Sequence, residues 1–302
     1  MTTTRATSPL IDRVLVLGAG GQLGYELCHS VPEGVQCVAL DRASLDITDL
    51  GAIRAAVEHH APQAIINAAA YTAVDRAEEE SERAWAINCE GPKHLAQICA
   101  ATGIRLLHVS TDFVFDGASG QPYAVDAAVN PLGVYGASKR GGEVAVLDSG
   151  ADALVVRTGW VYSAHGGNFV KTMLRLMADR PSLTVVEDQI GTPTWAHGLA
   201  DVCWQLCADP HAYGIYHWSD AGACSWYDFA VAIREEAMAL GLLKAAADIA
   251  PIPATDYPTP ATRPAYSVLD KSRTRSQLNI SGQHWRVALR DMLQSLAESS
   301  SE

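Results

Sequence analysis

The junction between Arg13-Val14-Leu15-Val16-Leu17 and Gly18-Ala19-Gly20-Gly21-Gln22-Leu23-Gly24 constrains this chain more than any other stretch. The apolar run reads as a buried strand. Glycines at 18, 21 and 24 then let the backbone turn sharply, approach a pyrophosphate and pack the next helix tightly on the strand. The spacing is G-x-x-G-x-x-G, because Leu23 stands where the G-x-G-x-x-G pattern needs glycine. Gly18, Gly21, Gln22, Leu23 and Gly24 are therefore candidate dinucleotide-phosphate residues. The amides near Gly21, Gln22 and Leu23 are expected to face the phosphates at the helix N-terminus.

Further β-branched runs follow at Cys37–Leu40, Ala64–Asn67, Arg105–Val109 and Ala153–Arg157, alternating with helical patterns such as Asp75 to Ala101. That alternation predicts an α/β fold, a Rossmann-like doubly wound parallel sheet. Residues 1–165 would form the dinucleotide-binding domain. Residues 166–302 would be mainly a smaller C-terminal α/β substrate-binding region, with a strand near 214–218 returning to the first domain. Helices are expected at Phe169–Asp179, Ala196–Ala208, Ser225–Leu240 and Ser281–Leu296, and a short strand at Leu183–Glu187. Five prolines between Pro251 and Pro264 predict an extended loop over a pocket.

Asp41 closes the second strand, where an acid binds an adenosine ribose, and Arg42 beside it suits a 2′-phosphate. Asp favours NADH and Arg favours NADPH, so the pair leaves both cofactors open. Asp46 and Ile47 would bracket the adenine, and Ala68, Ala69 and Ala70 are small enough to let the cofactor pass.

Tyr135 and Lys139 form the chain's Tyr-x-x-x-Lys, one helical turn apart on one face. Phenol is a reluctant acid near neutrality, and an adjacent ammonium is expected to favour the phenolate. Tyr135 would protonate the alkoxide made when hydride reaches a ketone. Lys139 would tune it and grip the nicotinamide ribose. Thr111, at the end of the fourth strand, would hydrogen-bond the reacting carbonyl at the carboxyl edge of the sheet.

A net charge of −12 argues against nucleic acid as a partner, so any anionic ligand must be held by local features. Seven scattered cysteines without a C-x-x-C pair predict neither structural zinc nor a disulfide framework. No apolar run is long enough to span a bilayer. Met1 to Ser8 is polar and reads as a frayed terminus, which makes a cytoplasmic protein the expectation.

Longer motifs sharpen this reading. They are Asn67-Ala68-Ala69-Ala70-Tyr71-Thr72-Ala73-Val74-Asp75 with Glu78-Glu79-Glu80, and Ser110-Thr111-Asp112-Phe113-Val114-Phe115-Asp116-Gly117. Pro131 to Gly136, Arg157 to Tyr162, Asp188 to Thr194 and Arg263 to Asp270 complete the set. Over nearly its whole length the chain resembles the dTDP-4-dehydrorhamnose reductases of the extended short-chain dehydrogenase/reductase superfamily. The resemblance implies NADPH- or NADH-dependent reduction of the C4 keto group of dTDP-4-dehydro-6-deoxy-L-mannose, yielding dTDP-L-rhamnose for cell-surface polysaccharide. It makes Thr111, Tyr135 and Lys139 the catalytic trio. It sets Thr111, Asp112 and Trp160 against the sugar or its nucleotide, and Arg263 against the diphosphate, with Gln189 and Lys171 as weaker candidates. Related 4,6-dehydratases carry Glu where Phe113 stands, and Phe113 cannot do acid-base work, which favours simple reduction. The resemblance leaves magnesium open, assigns no metal ligand, and allows a monomer or a homodimer. The alternatives are a reductase or epimerase of another nucleotide sugar, or a non-catalytic nucleotide-binding regulatory subunit.

Overall fold

Buried on both faces, strands such as Val14–Leu17 and Ala64–Asn67 have no polar side to show to water, and they assemble into the centre of the molecule. The computed structural model describes residues 11–245 and 247–299. Six parallel strands form the main sheet, in the spatial order Gly214–His217, Ala153–Thr158, Arg105–Thr111, Ala64–Asn67, Arg13–Leu17, Gln36–Leu40. Helices cover both faces. One apolar cluster runs from Val14, Val16 and Ile66 to Leu199 and Trp204, and the other from Leu15, Leu17 and Ile65 to Leu95 and Ile98. The expected strands are found within one or two residues, including the late one, which pairs with Ala153–Thr158. The polar stretch Met1 to Ser8 lies outside the described residues.

The expectation of one helix from Asp75 to Ala101 needs correcting. The segment is Val74–Ala77, Ser81–Trp85, a π-helical turn Ala86–Glu90 and Gly91–Thr102. Pro92 has no N–H to return to the Asn88 carbonyl, so the regular ladder fails there. The break turns the buried Asn88 side chain inward. It accepts from Tyr71 N at 2.8 Å and donates to Tyr71 O at 3.0 Å and Ser138 Oγ at 3.1 Å. The proline-rich stretch is likewise not all loop. Asp248–Ile252 is a strand beside Ser182–Val186, and Pro251 is tolerated because this is a two-stranded edge pairing. The final helix starts at Trp285, not Ser281.

A third apolar cluster, from Tyr162, Val170 and Met173 to Phe229, Leu289 and Leu293, holds the C-terminal helices together. Ser225 opens the helix Trp226–Ala239 with a reciprocal cap from Asp228. All seven cysteines are free thiols. Among the described residues no helix is long and apolar enough to cross a membrane.

One buried ion pair fastens the sheet to the helix Val134–Leu147. Arg157 Nε and Nη2 meet the two Glu143 oxygens at 2.7 and 2.8 Å, with Arg157 1% exposed. Burial raises the Glu143 pKa, but the Arg157 hydrogen bonds and charge outweigh it and the net shift is downward from 4.5. Glu143→Gln leaves a buried guanidinium without its counter-charge and is expected to cost about 3–5 kcal/mol in urea unfolding at neutral pH. A depressed folded pKa means that this contribution is complete above pH 4.5 and fades as pH falls through the folded value. The gap between wild type and variant should therefore narrow in acid.

Candidate active site

Gly18 has φ +77°, and a Cβ there would stand 2.7 Å from Ala69 N. A Cβ on Gly24 would press into the Gly18 carbonyl oxygen. These two positions create the space that a dinucleotide backbone requires. Beside them a cavity of about 510 Å³ is walled by Gly18, Gly20, Gly21, Asp41, Arg42, Asp46, Ile47, Ala68, Ala69, Ala70 and Tyr71, among others. Its size and glycine-alanine lining fit a dinucleotide.

Several details differ from expectation. The Gly21 amide closes the turn onto Gly18 O at 2.9 Å, so it is not offered to phosphate. Gln22, Leu23 and Gly24 do not line the cavity. The Gln22 side chain accepts from Asn168 Nδ2 at 2.9 Å, Leu23 is buried in the core, and Gly24 serves helix-to-strand packing. As the first turn of the helix Gln22–His29, their backbone N–H groups still have no helical acceptor. Asp41 lines the cavity, but its Oδ1 accepts from Ser44 Oγ and N at 2.7 and 2.9 Å, which lowers its pKa. Asp46 Oδ1 is similarly tied to Thr48. Sequence reasoning missed Gly20, Ala43, Leu45, Tyr71, Thr72, Ala73 and Ile87 on the walls. Ala43 and Leu45 lie between residues it did select, whereas Ile87 is brought in only by the broken helix.

The helix Val134–Leu147 carries Tyr135, Lys139 and Glu143 on successive turns of one face. Gly133, at its N-cap, has no side chain to offer, and Glu78 Oε1 accepts from Val134 N at 2.8 Å instead. That carboxylate suits the positive end of the helix dipole, so the acidic run Glu78-Glu79-Glu80 has a structural task. Tyr135 is half-buried on the cluster of Tyr71, Ala77 and Ala84, of which Tyr71 walls the cofactor-sized cavity, and its ring meets Phe113 edge to face at 5.5 Å; Thr111, Tyr135 and Lys139 do not themselves line that cavity.

Burial pushes the Tyr135 phenol up to about 12; a Thr111 hydrogen bond opposes this and the Asp112 charge adds to it. This corrects the expectation of a phenol acidified by Lys139. The Lys139 ammonium is 2% exposed and donates to Val109 O at 2.6 Å. Burial brings its own pKa down to about 8, while Glu143 pulls the other way. Tyr135 is therefore protonated at neutral pH, the state a proton donor must start from.

Thr111 Oγ1 donates to Asp112 Oδ1 at 3.1 Å and accepts from Phe113 N at 3.2 Å. Asp112 is 2% exposed and packed against Gly159, with its pKa pushed up to about 6 by burial. It braces Thr111 and does not present a face to a sugar, contrary to expectation. Trp160 stacks flat on Trp226 at 3.5 Å, with its backbone in the left-handed region at φ 52°. A bulky residue held there is strained, and such strain gathers at functional sites.

Trp226, not Trp160, reaches the wall of a second cavity of about 650 Å³. Arg180, Gln189, Tyr257, Thr259 and Arg263 line it too, so the proline-rich stretch does border a pocket. Arg263 is not a free cation: its Nη1 and Nη2 meet the Asp75 oxygens at 3.0 and 2.7 Å. Lys171 turns away to Ala164 O at 3.0 Å. Arg180, Tyr257 and Thr259 carried no sequence signal, since no periodic pattern marks a loop side chain. Among the described residues no group of three or more His, Cys, Asp or Glu side chains is placed to hold a metal.

A parallel nucleotide-binding sheet with a threonine at a strand end and a Tyr-x-x-x-Lys helix beside the cofactor cleft defines an oxidoreductase of the short-chain dehydrogenase/reductase class. Residues 12–298 match the family model described as the RmlD substrate binding domain. The chain is similar to a dTDP-4-dehydrorhamnose reductase of Streptomyces griseus, 45% identical over 290 residues that cover 94% of each chain. It is also similar to the spore coat polysaccharide biosynthesis protein SpsK of Bacillus subtilis, 42% identical over 94% of this chain and 98% of that one. The crystal structure of dTDP-4-dehydrorhamnose reductase from Bacillus anthracis in complex with NADP superposes with a TM-score of 0.89 at 34% identity. It covers 94% of this chain and 99% of that one. The chain belongs to the dTDP-4-dehydrorhamnose reductase family.

Proposed function

We propose that the protein reduces the C4 keto group of dTDP-4-dehydro-6-deoxy-L-mannose (dTDP-4-dehydro-L-rhamnose) to give dTDP-L-rhamnose, using NAD(P)H. The observation that carries this is the Tyr135 phenol, packed on the cluster that holds Tyr71, itself a wall of the dinucleotide-sized cavity, and with Thr111 as a hydrogen-bond partner. Reduced nicotinamide, when bound, supplies the hydride. Thr111 hydrogen-bonds the C4 oxygen, and Tyr135 passes its proton to that oxygen as the carbonyl becomes an alcohol. Lys139 is the candidate contact to the nicotinamide ribose.

Gly18, Gly21, Asp41, Arg42, Asp46, Ile47 and Ala68 to Ala70 serve the cofactor, with the Gln22 and Leu23 amides toward its phosphates. The NADP in the Bacillus anthracis relative supports NADPH, for which Arg42 is the candidate 2′-phosphate contact. Asp41 stays ionised and suits the free ribose of NADH. The region 166–302 holds most of the sugar-nucleotide contacts, and because the chemistry uses one chain a monomer or a homodimer serves. A second reading, reduction of a different 4-keto-6-deoxy sugar, is favoured by similarity to a dTDP-4-keto-6-deoxy-D-glucose reductase of Streptomyces niveus, 40% identical over 93% of this chain. Following reduced-cofactor absorbance with both keto-sugars separates the two. Stoichiometric loss of cofactor with either substrate also excludes an epimerase, which regenerates its own.

Lys139 sets the expected pH profile. Its ammonium is needed and ionises at about 8, so kcat/KM should fall as pH rises through that value. Lys139→Arg keeps its charge to far higher pH and should remove the alkaline limb while lowering the plateau. An unchanged limb near pH 8 in the variant would assign it to another group.

A further inference from the structure

The walls of the second cavity carry Arg180 and Arg263, a flat Tyr257 ring and no carboxylate, in a chain of net charge −12. Such a pocket selects an anion with an aromatic portion, and a nucleoside diphosphate fits it. Arg263 enters it already engaged. Nη1 donates to Asp75 Oδ1 at 3.0 Å and Ala261 O at 3.3 Å, and Nη2 donates to Asp75 Oδ2 at 2.7 Å. Asp75 therefore occupies the outer end of the guanidinium. The side fork, made of Nε–H and the second Nη2–H, has no hydrogen-bond partner among the described residues. A guanidinium presents five donors in a fixed plane, so one fork can stay on a carboxylate while the other takes a phosphate oxygen.

We infer that Asp75 is a positioning residue for the sugar-nucleotide diphosphate: it grips the end of Arg263, sets the guanidinium plane, and leaves the side fork for phosphate. Asp75 also accepts from Ala261 N at 3.3 Å, so the same carboxylate pins the backbone two residues before Arg263. Its own anchorage is the short helix Val74–Ala77, directly after Tyr71, Thr72 and Ala73 on the cofactor-cavity wall. The pair thus joins the walls of both cavities. This inference rests on reading the second cavity as the diphosphate pocket.

The test is a thermodynamic cycle read by calorimetric binding of dTDP to the intact enzyme, with NADPH binding and thermal melting as controls. Arg263→Ala should weaken dTDP about thirtyfold, the loss of a charge-assisted fork. Asp75→Asn should weaken it about tenfold, with NADPH affinity and melting close to wild type. In the double variant Asp75→Asn should add nothing beyond Arg263→Ala, because Asp75 acts only through that side chain. In turnover, Asp75→Asn should raise KM for the keto-sugar and leave kcat within about twofold. Full dTDP affinity in Arg263→Ala would remove the diphosphate pocket and the inference with it. Weakening in Arg263→Ala, with Asp75→Asn either silent or additive, would leave the pocket standing and overturn the role of Asp75.

Discussion

Tyr135→Phe is expected to lower kcat about a thousandfold, within the range by which a positioned general acid accelerates a reaction. The ring packs on the cluster of Tyr71, Ala77 and Ala84 and meets Phe113 edge to face, and phenylalanine keeps that packing. Only the hydroxyl is lost, and with it the proton that must reach the C4 oxygen. Binding of NADPH and of dTDP should stay within about twofold of wild type, so the loss appears in kcat and kcat/KM alike. Stopped-flow loss of reduced-cofactor absorbance checks this, and a variant within a few-fold of wild type would mean that another donor serves.

Gly24→Ala should be the most damaging single-methyl change for cofactor binding. The added Cβ falls on the Gly18 carbonyl oxygen and the Ala19 backbone, neither of which is a flexible side-chain end. Relief requires the helix Gln22–His29 to lift off the first strand, carrying its unpaired N-terminal amides away from the phosphates. NADPH affinity, followed by its fluorescence, is expected to fall at least about thirtyfold, an overpacking cost of about 2 kcal/mol. Gly120→Ala is the control, since a Cβ there meets nothing within 4 Å. Unaltered NADPH binding in Gly24→Ala would show that the cofactor does not sit on this helix.

These two sites were legible in the amino-acid sequence for a simple reason. The glycine spacing and the Tyr-x-x-x-Lys spacing are local, and each lies on one element whose geometry the residues themselves set. The strands were legible too, because residues such as Ile65 and Ile66 are buried on both faces and must be apolar in an unbroken run. What escaped was long-range. Lys139 is one turn from Tyr135 in the helix, but its ammonium goes to Val109 on a neighbouring strand, a choice that spacing cannot reveal. Asp112 next to Thr111 was expected at the substrate, yet the turn after the fourth strand buries it. Arg263 was expected at the diphosphate, but that Asp75, far away in the chain, takes its fork is a contact only the fold makes. The helix expected from Asp75 to Ala101 was overruled at Gly91-Pro92, and the break gives Asn88 its hold on Tyr71 and Ser138.

Transfer of the label from deuterated cofactor tests the whole account most directly. The enzyme is mixed with dTDP-4-dehydro-6-deoxy-L-mannose and NADPH carrying deuterium at both positions of the dihydronicotinamide C4, and the product is read by NMR. The account predicts dTDP-L-rhamnose with one deuterium at sugar C4 and one cofactor oxidised per product. Unlabelled or epimerised sugar with the cofactor still reduced would contradict it.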